Sequence, residues 1–217
     1  MFKTILAGAS ALTLAACVSV LPQAEDLEAR LGLDAGFGAP VAAEPLGVTL
    51  SIADPRAEDV FDTANVAVKT GPLQYEYLAG AEWTDRAPIL LELFLERRLG
   101  ATGAFTAVGD RVALPVADYT LHTDVRALNL DRTDGSLATV AYGARLTNRR
   151  NETVGTRVFR AQVPVAGNGN GAAAQALNAA AAEVADATYA WMLPLIEADR
   201  DETRRREAER RARRQGA

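Results

Sequence analysis

The chain has 217 residues, of which 49% are hydrophobic and 24% charged, with a formal net charge of −5. Those proportions exclude a disordered chain and a membrane-filling one, and they suit one folded domain with extensions. The acidic balance argues against nucleic acid as the main partner.

Residues 1–16 read as a signal peptide and not as part of the fold. Lys3 supplies a positive end, and Ile5 to Leu14 is an apolar run too short to cross a bilayer. It ends in Leu14-Ala15-Ala16-Cys17, which resembles the lipobox of bacterial lipoproteins. Small residues precede the expected cut, and a thiol stands ready to receive diacylglycerol. Cys17 is the only cysteine, so an intrachain disulfide and a thiolate metal site are both excluded. The mature chain is expected to begin at Cys17, held by acyl chains whose buried methylenes contribute about 0.8 kcal/mol each. Val18 stands where enteric inner-membrane retention signals carry Asp. By that analogy the outer membrane, facing the periplasm, is the expected address.

Residues 17–45 alternate Pro, Gly and Ala with scattered acids and read as a tether. One ordered patch is expected within it, a short helix or strand from Asp26 to Leu33. The folded domain is expected over residues 46–199. Gly47 to Ile52 alternates and is β-branched, giving a first strand, and Asp54-Pro55 turns the chain. Val60-Phe61 reads as a buried loop anchor. Asn65 to Lys69 gives a second strand, and Gly71-Pro72 turns it into Tyr75. Tyr75 and Tyr77 lie two apart, so one strand face carries both rings. Gly80 is expected to end that strand, and Thr84 or Asp85 to cap the helix that follows. Pro88 falls in the first turn, where a missing amide hydrogen costs least. Leu91, Leu95 and Leu99 recur every fourth residue beside Leu90, Leu93 and Phe94, which makes an amphipathic helix closed by Gly100 and Gly103.

A short strand around Phe105 to Val108 leads to three longer ones. Tyr119, Leu121, Thr123, Val125 and Ala127 share a face of the first, and Val140, Tyr142, Ala144 and Leu146 a face of the second. Thr133 to Ser136 and Asn148 to Asn151 are the turns between them. In Val154 to Val163 the two alternations conflict, which implies a bulge or two half-buried faces. After the loop Gly167 to Gly171 comes the longest helix, Ala172 to Leu195. Its stripe is Ala173, Leu177, Ala180, Val184, Ala187, Trp191 and Leu195. The two helices and a largely antiparallel sheet of about five to six strands make a two-layer α+β domain. Open sheet edges imply self-assembly or a partner strand.

Residues 200–217 form a charged, Arg-rich tail. From Thr203 to Ala217 it holds seven arginines against two glutamates, net +5, which leaves −11 on the rest of the mature chain. A solvated helical extension and an electrostatic arm for anionic lipid or an acidic partner both fit.

Catalytic patterns are missing. No phosphate-binding Gly-rich loop carries a Lys, and the Asn-Gly run at 167–171 has no dinucleotide pattern. His122, the only histidine, has no second imidazole or thiol with which to hold zinc. Asp118, Asp124 and Asp131 are spread along a strand and turn, and no serine sits in a nucleophile elbow. Neither an enzyme nor a cofactor is expected.

The run of Tyr75, Tyr77, Trp83, Asp85, Pro88 and the leucine helix resembles the ABC-type transport auxiliary lipoproteins, the paraquat-inducible protein C family. Phe159, Pro164, the Ala-rich helix with Asn178, and Trp191 extend the likeness over about Leu46 to Trp191. The resemblance implies a non-enzymatic partner of an MCE-domain protein in an ABC transport system that moves phospholipids between the two membranes. Tyr75, Tyr77 and Trp83 are the candidate binding residues; the same three also suit core and strand positions with no binding role. The alternative function is a lipoprotein that activates or scaffolds a cell-envelope enzyme. At its start the chain departs from the family, residues 25–40 being richer in acid and Gly.

Overall fold

The computed structural model describes residues 29–36, 40–42 and 44–215, so the expected signal peptide and Cys17 lie outside the described residues. Among the described residues nine strands and two helices follow in chain order. They are β1 (Ala29–Leu31), β2 (Thr49–Ile52), β3 (Arg56–Ala57), β4 (Asn65–Gly71), β5 (Gln74–Trp83), α1 (Ala87–Gly100), β6 (Ala107–Asp110), β7 (Tyr119–Asp131), β8 (Leu137–Asn148), β9 (Thr153–Pro164) and α2 (Asn170–Gln215).

β7 is the spine of the sheet. One edge carries β8 and then β9, in antiparallel ladders. The other edge is shared along its length by three strands, all parallel to it: β2 at Tyr119–Leu121, β3 at Asp124–Val125 and β4 at Asn129–Asp131. β6 extends the sheet from β2, and β5 then β1 extend it from β4. The sheet is therefore α+β as expected but mixed, and its nine strands correct the five to six read from the sequence. β1 and β3, of three and two residues, are too short to show alternation. Pairing to β5 and β7 creates them.

Bulges explain where the alternation fails. In β7 the core face runs Tyr119, Leu121, Thr123, Val125. The ladder then skips Arg126, so that Ala127 pairs with Ala141 and Leu128 with Val140. Leu128 and Leu130 take over the core face, and Ala127 moves off the face expected for it. The conflict foreseen in β9 has the same origin, a register shift between Leu146 and Thr147. It turns Phe159 and Ala161 inward and leaves Val158 53% exposed. Gly80 does not end β5. It adopts φ +67° within the strand, while pairing jumps from Ala67–Tyr77 to Asn65–Glu82.

In α1, Leu91, Leu95 and Leu99 are buried with Leu90 and Phe94, whereas Leu93 is exposed. Pro88 sits in the first turn, but the cap differs from expectation: Arg86 is the N-cap residue and no side chain closes it. The Asp85 carboxylate is occupied by the Arg86 amide, which donates to Oδ1 at 2.6 Å.

α2 runs 46 residues, through Pro194 and into the Arg-rich tail. Its buried stripe passes through Val184, Thr188, Met192 and Ile196, one position later than the expected Ala187, Trp191 and Leu195. An interior proline costs a helix about 3 kcal/mol; burial of Met192 and Ile196 on either side offsets it. The helix is pinned again beyond the proline. The Tyr119 hydroxyl donates to Asp199 at 2.9 Å, Asn148 Nδ2 donates to the same carboxylate at 3.1 Å, and Arg200 donates to the Leu46 carbonyl. Burial and the bond to Asp199 push the Tyr119 phenol far up, so it stays protonated. Residues 204–215 are exposed, with surface pairs Arg204–Asp201 and Arg206–Glu202 that contribute little. Deleting residues 203–217 is therefore expected to move the melting temperature by less than about 2 °C. A large drop in a thermal melt would mean that the tail packs on the domain.

Glu92 on α1 carries a pH dependence. Burial first, then Asp54, Glu96 and Asp110, push its carboxyl up to about 7 from 4.5. Between those values the folded state binds more protons than the unfolded, so stability falls as pH rises through the window. Glu92→Gln is expected to raise stability at pH 8 by about 1 kcal/mol, discounted for solvent access, and to flatten the change between pH 5 and 8. Urea titrations at the two pH values measure both. An unchanged pH slope would count against it.

Candidate docking surface

The hairpin β4–β5 turns at Gly71-Pro72-Leu73, and Leu73 at its tip is 94% exposed. Tyr75 and Tyr77 follow on one strand face, 41% and 48% exposed. Their register neighbours are Lys69 and Ala67, which in turn lie beside Asp131 and Asn129 of β7. These positions alternate with Val68 and Leu130, so both rings stand on the opposite face of the sheet, where Ala67 and Asn129 are also buried. Tyr75 meets the buried Phe61 edge-on, ring centroids 5.7 Å apart at 88°. Phe61 thus serves as the loop anchor expected of it and props the outermost ring. Burial, and then Glu58 and Asp131, raise the Tyr75 phenol, which keeps its proton as a donor.

β5 also has a free backbone edge. β1 pairs only with Ala81–Trp83, and β4 takes the other side, so among the described residues no strand covers the outer edge from Gln74 to Gly80. Unpaired N–H and C=O groups beside two amphipathic rings and an exposed leucine suit addition of an extended partner strand. The sequence put Tyr75 and Tyr77 on one face and implied open sheet edges, but did not mark Leu73 or say that the edge of β5 is one of them. An apolar residue directly after a Gly-Pro turn was the available signal.

Trp83 stands apart from the two tyrosines. It is 1% exposed in the core, at the end of β5 where Leu31 of β1 pairs with it. Cys17 lies outside the described residues. The scattered acids each have local work. Asp118 accepts from the Thr49 amide and hydroxyl at 2.9 Å, Asp124 pairs with Arg126 at 3.7 Å, and Asp131 faces Lys69 at 3.8 Å and accepts from Thr133. The Thr133 hydroxyl holds the Asp131 carboxyl below its ordinary range. His122 is half-buried with Nε2 3.2 Å from Thr147 Oγ1. Among the described residues no three His, Cys, Asp or Glu side chains gather as a metal site, and no helix is long and apolar enough to cross a membrane.

A family model described as ABC-type transport auxiliary lipoprotein component matches residues 33–188. A crystal structure of a Xanthomonas campestris protein of the DUF330 family model is similar, with 26% identity and a TM-score of 0.68. The likeness covers 75% of this chain and 94% of that one. A second crystal structure, of an uncharacterized protein, shares the fold at 16% identity with a TM-score of 0.60, covering 72% of this chain and 96% of the other. Comparison with curated proteins finds no match.

Proposed function

The chain belongs to the ABC-type transport auxiliary lipoprotein components, and from that premise we propose that it couples an MCE-domain protein to the envelope membranes in phospholipid transport. Its part in transport is auxiliary and non-enzymatic. The family match over residues 33–188 carries the reading, and the Tyr-bearing edge of β5 supports it. In this reading Cys17 is lipidated and holds the protein on the periplasmic side of the outer membrane. The ordered patch expected within residues 17–45 is held against the domain, since β1 pairs with β5 and Leu31, Leu33 and Ala35 lie in the core. The MCE-domain protein docks at Leu73, Tyr75 and Tyr77 and adds main-chain hydrogen bonds along Gln74–Gly80.

Two variants test it. Tyr75→Ala with Tyr77→Ala is expected to weaken binding of the purified MCE-domain protein about tenfold or more, because exposed aromatic anchors dominate such interfaces. The melting temperature should hardly move, as both rings are partly exposed. Equal binding by the variant removes the edge from the proposal, and capture of an envelope enzyme in place of the transport protein favours the scaffold alternative. Cys17→Ser should leave an unlipidated precursor that fails to fractionate with the outer membrane. A native chain cut elsewhere and soluble in the periplasm would overturn the anchor.

A further inference from the structure

On the same face of the sheet, β3, β7, β8 and β9 line a groove of about 670 Å³. Its register is fixed by the ladders: Arg56 lies beside Asp124, Asp124 opposite Gly143, and His122 opposite Arg145. Gly143 and Arg145 alternate with the core-facing Tyr142 and Ala144, so their positions open outward. Gly143 gives the groove its floor. A Cβ there would come within 3.1 Å of Arg126 Nη2 and 3.4 Å of its Cζ, so the missing side chain makes room for the guanidinium over the strand.

The charge at this spot runs against the charge of the chain. Residues 17–202 carry −11, yet the groove collects Arg56, Arg126 and Arg145 against Asp54 and Asp124. Arg126 is paired only loosely with Asp124, at 3.7 Å and with both side chains more than half exposed. Among the described residues Arg56 and Arg145 form no ion pair. The local field is felt by His122, which is held below its ordinary range by burial and then by Arg145 and Arg111, and so adds no charge at neutral pH. Guanidiniums gathered with too few carboxylates repel one another until an anion bridges them, and their planar forks match phosphate oxygens in pairs. The groove's volume lies within the range of small-ligand sites, larger than phosphate alone needs. Val158, exposed at the rim, adds an apolar wall.

We propose that this groove binds a phosphate-bearing anion through Arg56, Arg126 and Arg145, with Gly143 supplying the clearance. The site stands on its own geometry and holds whether or not the transport reading does. Free phosphate, a phosphorylated polyol and a phospholipid headgroup share the recognised chemistry.

Calorimetry on the full chain in a neutral detergent separates them, using inorganic phosphate, glycerol 3-phosphate and dihexanoyl phosphatidylglycerol as probes. Binding of all three points to phosphate itself; binding of the lipid alone points to a headgroup with its acyl chains. Arg56→Gln with Arg145→Gln is expected to lose about a hundredfold in affinity, roughly tenfold for each charged hydrogen-bonding partner. Both side chains are exposed, so the melting temperature should hold. Arg145→Lys should bind between the two, keeping charge but losing the fork. Deleting residues 203–217 should leave affinity unchanged, which distinguishes the groove from the arginine tail. The proposal is overturned if no probe binds, if the double variant binds as the native chain does, or if the loss follows the tail.

Discussion

Replacing Trp83 with alanine is expected to destabilise the fold by about 3–5 kcal/mol, the usual range for truncating a buried Trp. The ring is 1% exposed and heads the set of largest fully buried side chains. Its position makes the loss structural. Trp83 is the last residue of β5, paired with Leu31 of β1, and its amide donates to the Ala64 carbonyl at 2.6 Å. Four residues later α1 begins. A cavity there would loosen the junction of two strands with the helix. Against a typical total of about 5–15 kcal/mol, such a loss leaves little margin. Trp83→Phe should cost less, since it keeps most of the apolar area and removes an indole N–H that has no acceptor among the described residues. Urea unfolding of the three proteins measures the order native, Phe, Ala. If Trp83→Ala keeps its melting temperature and loses only partner binding, the residue belongs to an interface instead.

What could be read from the chain was what repeats. The leucine stripe of α1 and the alternations of β7 and β8 each state their buried face several times over, and all three place their residues in the core. Single events were hidden. The bulge at Arg126 is one residue long, and it moved Ala127 off the face that alternation assigned to it. Gly80 reads as the end of its strand, and only pairing with β4 shows that the strand runs on through it with a register shift. β1 and β3 have no pattern of their own to show. The same limit governs the surface. Tyr75 and Tyr77 could be placed together because they are neighbours in one strand. The groove joins Arg56, Arg126 and Arg145 from three strands, and no spacing in sequence links them. A hint did exist in His122, Asp124 and Arg126, whose polar side chains alternate with the core positions of β7.

Arg98 is the clearest long-range case, and its removal carries the second large expected effect. It lies in the last turn of α1, where a cation suits the helix dipole, and nothing in the sequence sets it apart from Arg97. In the fold it is buried. Its Nε and Nη2 donate to the two carboxylate oxygens of Asp186 on α2, at 2.8 and 2.7 Å, and Nη1 donates to the Ala35 carbonyl at 2.8 Å. One guanidinium thus ties both helices to the segment that follows β1. Arg98→Ala is expected to cost about 2–4 kcal/mol, below the full penalty for breaking a buried pair. The discount has a physical reason: Asp186 is 36% exposed and regains water, while the Ala35 carbonyl does not. Arg98→Lys should recover about half, because charge persists but the fork does not. Asp186→Asn should be milder than Arg98→Ala, since it leaves a neutral acceptor for the same fork. Hydrogen exchange gives the sharper readout. In Arg98→Ala, residues 29–36 should lose protection before the rest of the sheet, being held thereafter mainly by the Asp34 amide on Asn178 Oδ1 at 2.7 Å and by β1 pairing. A loss of stability under about 0.5 kcal/mol, or exchange that rises evenly across the domain, would show that Arg98 does not clamp this segment.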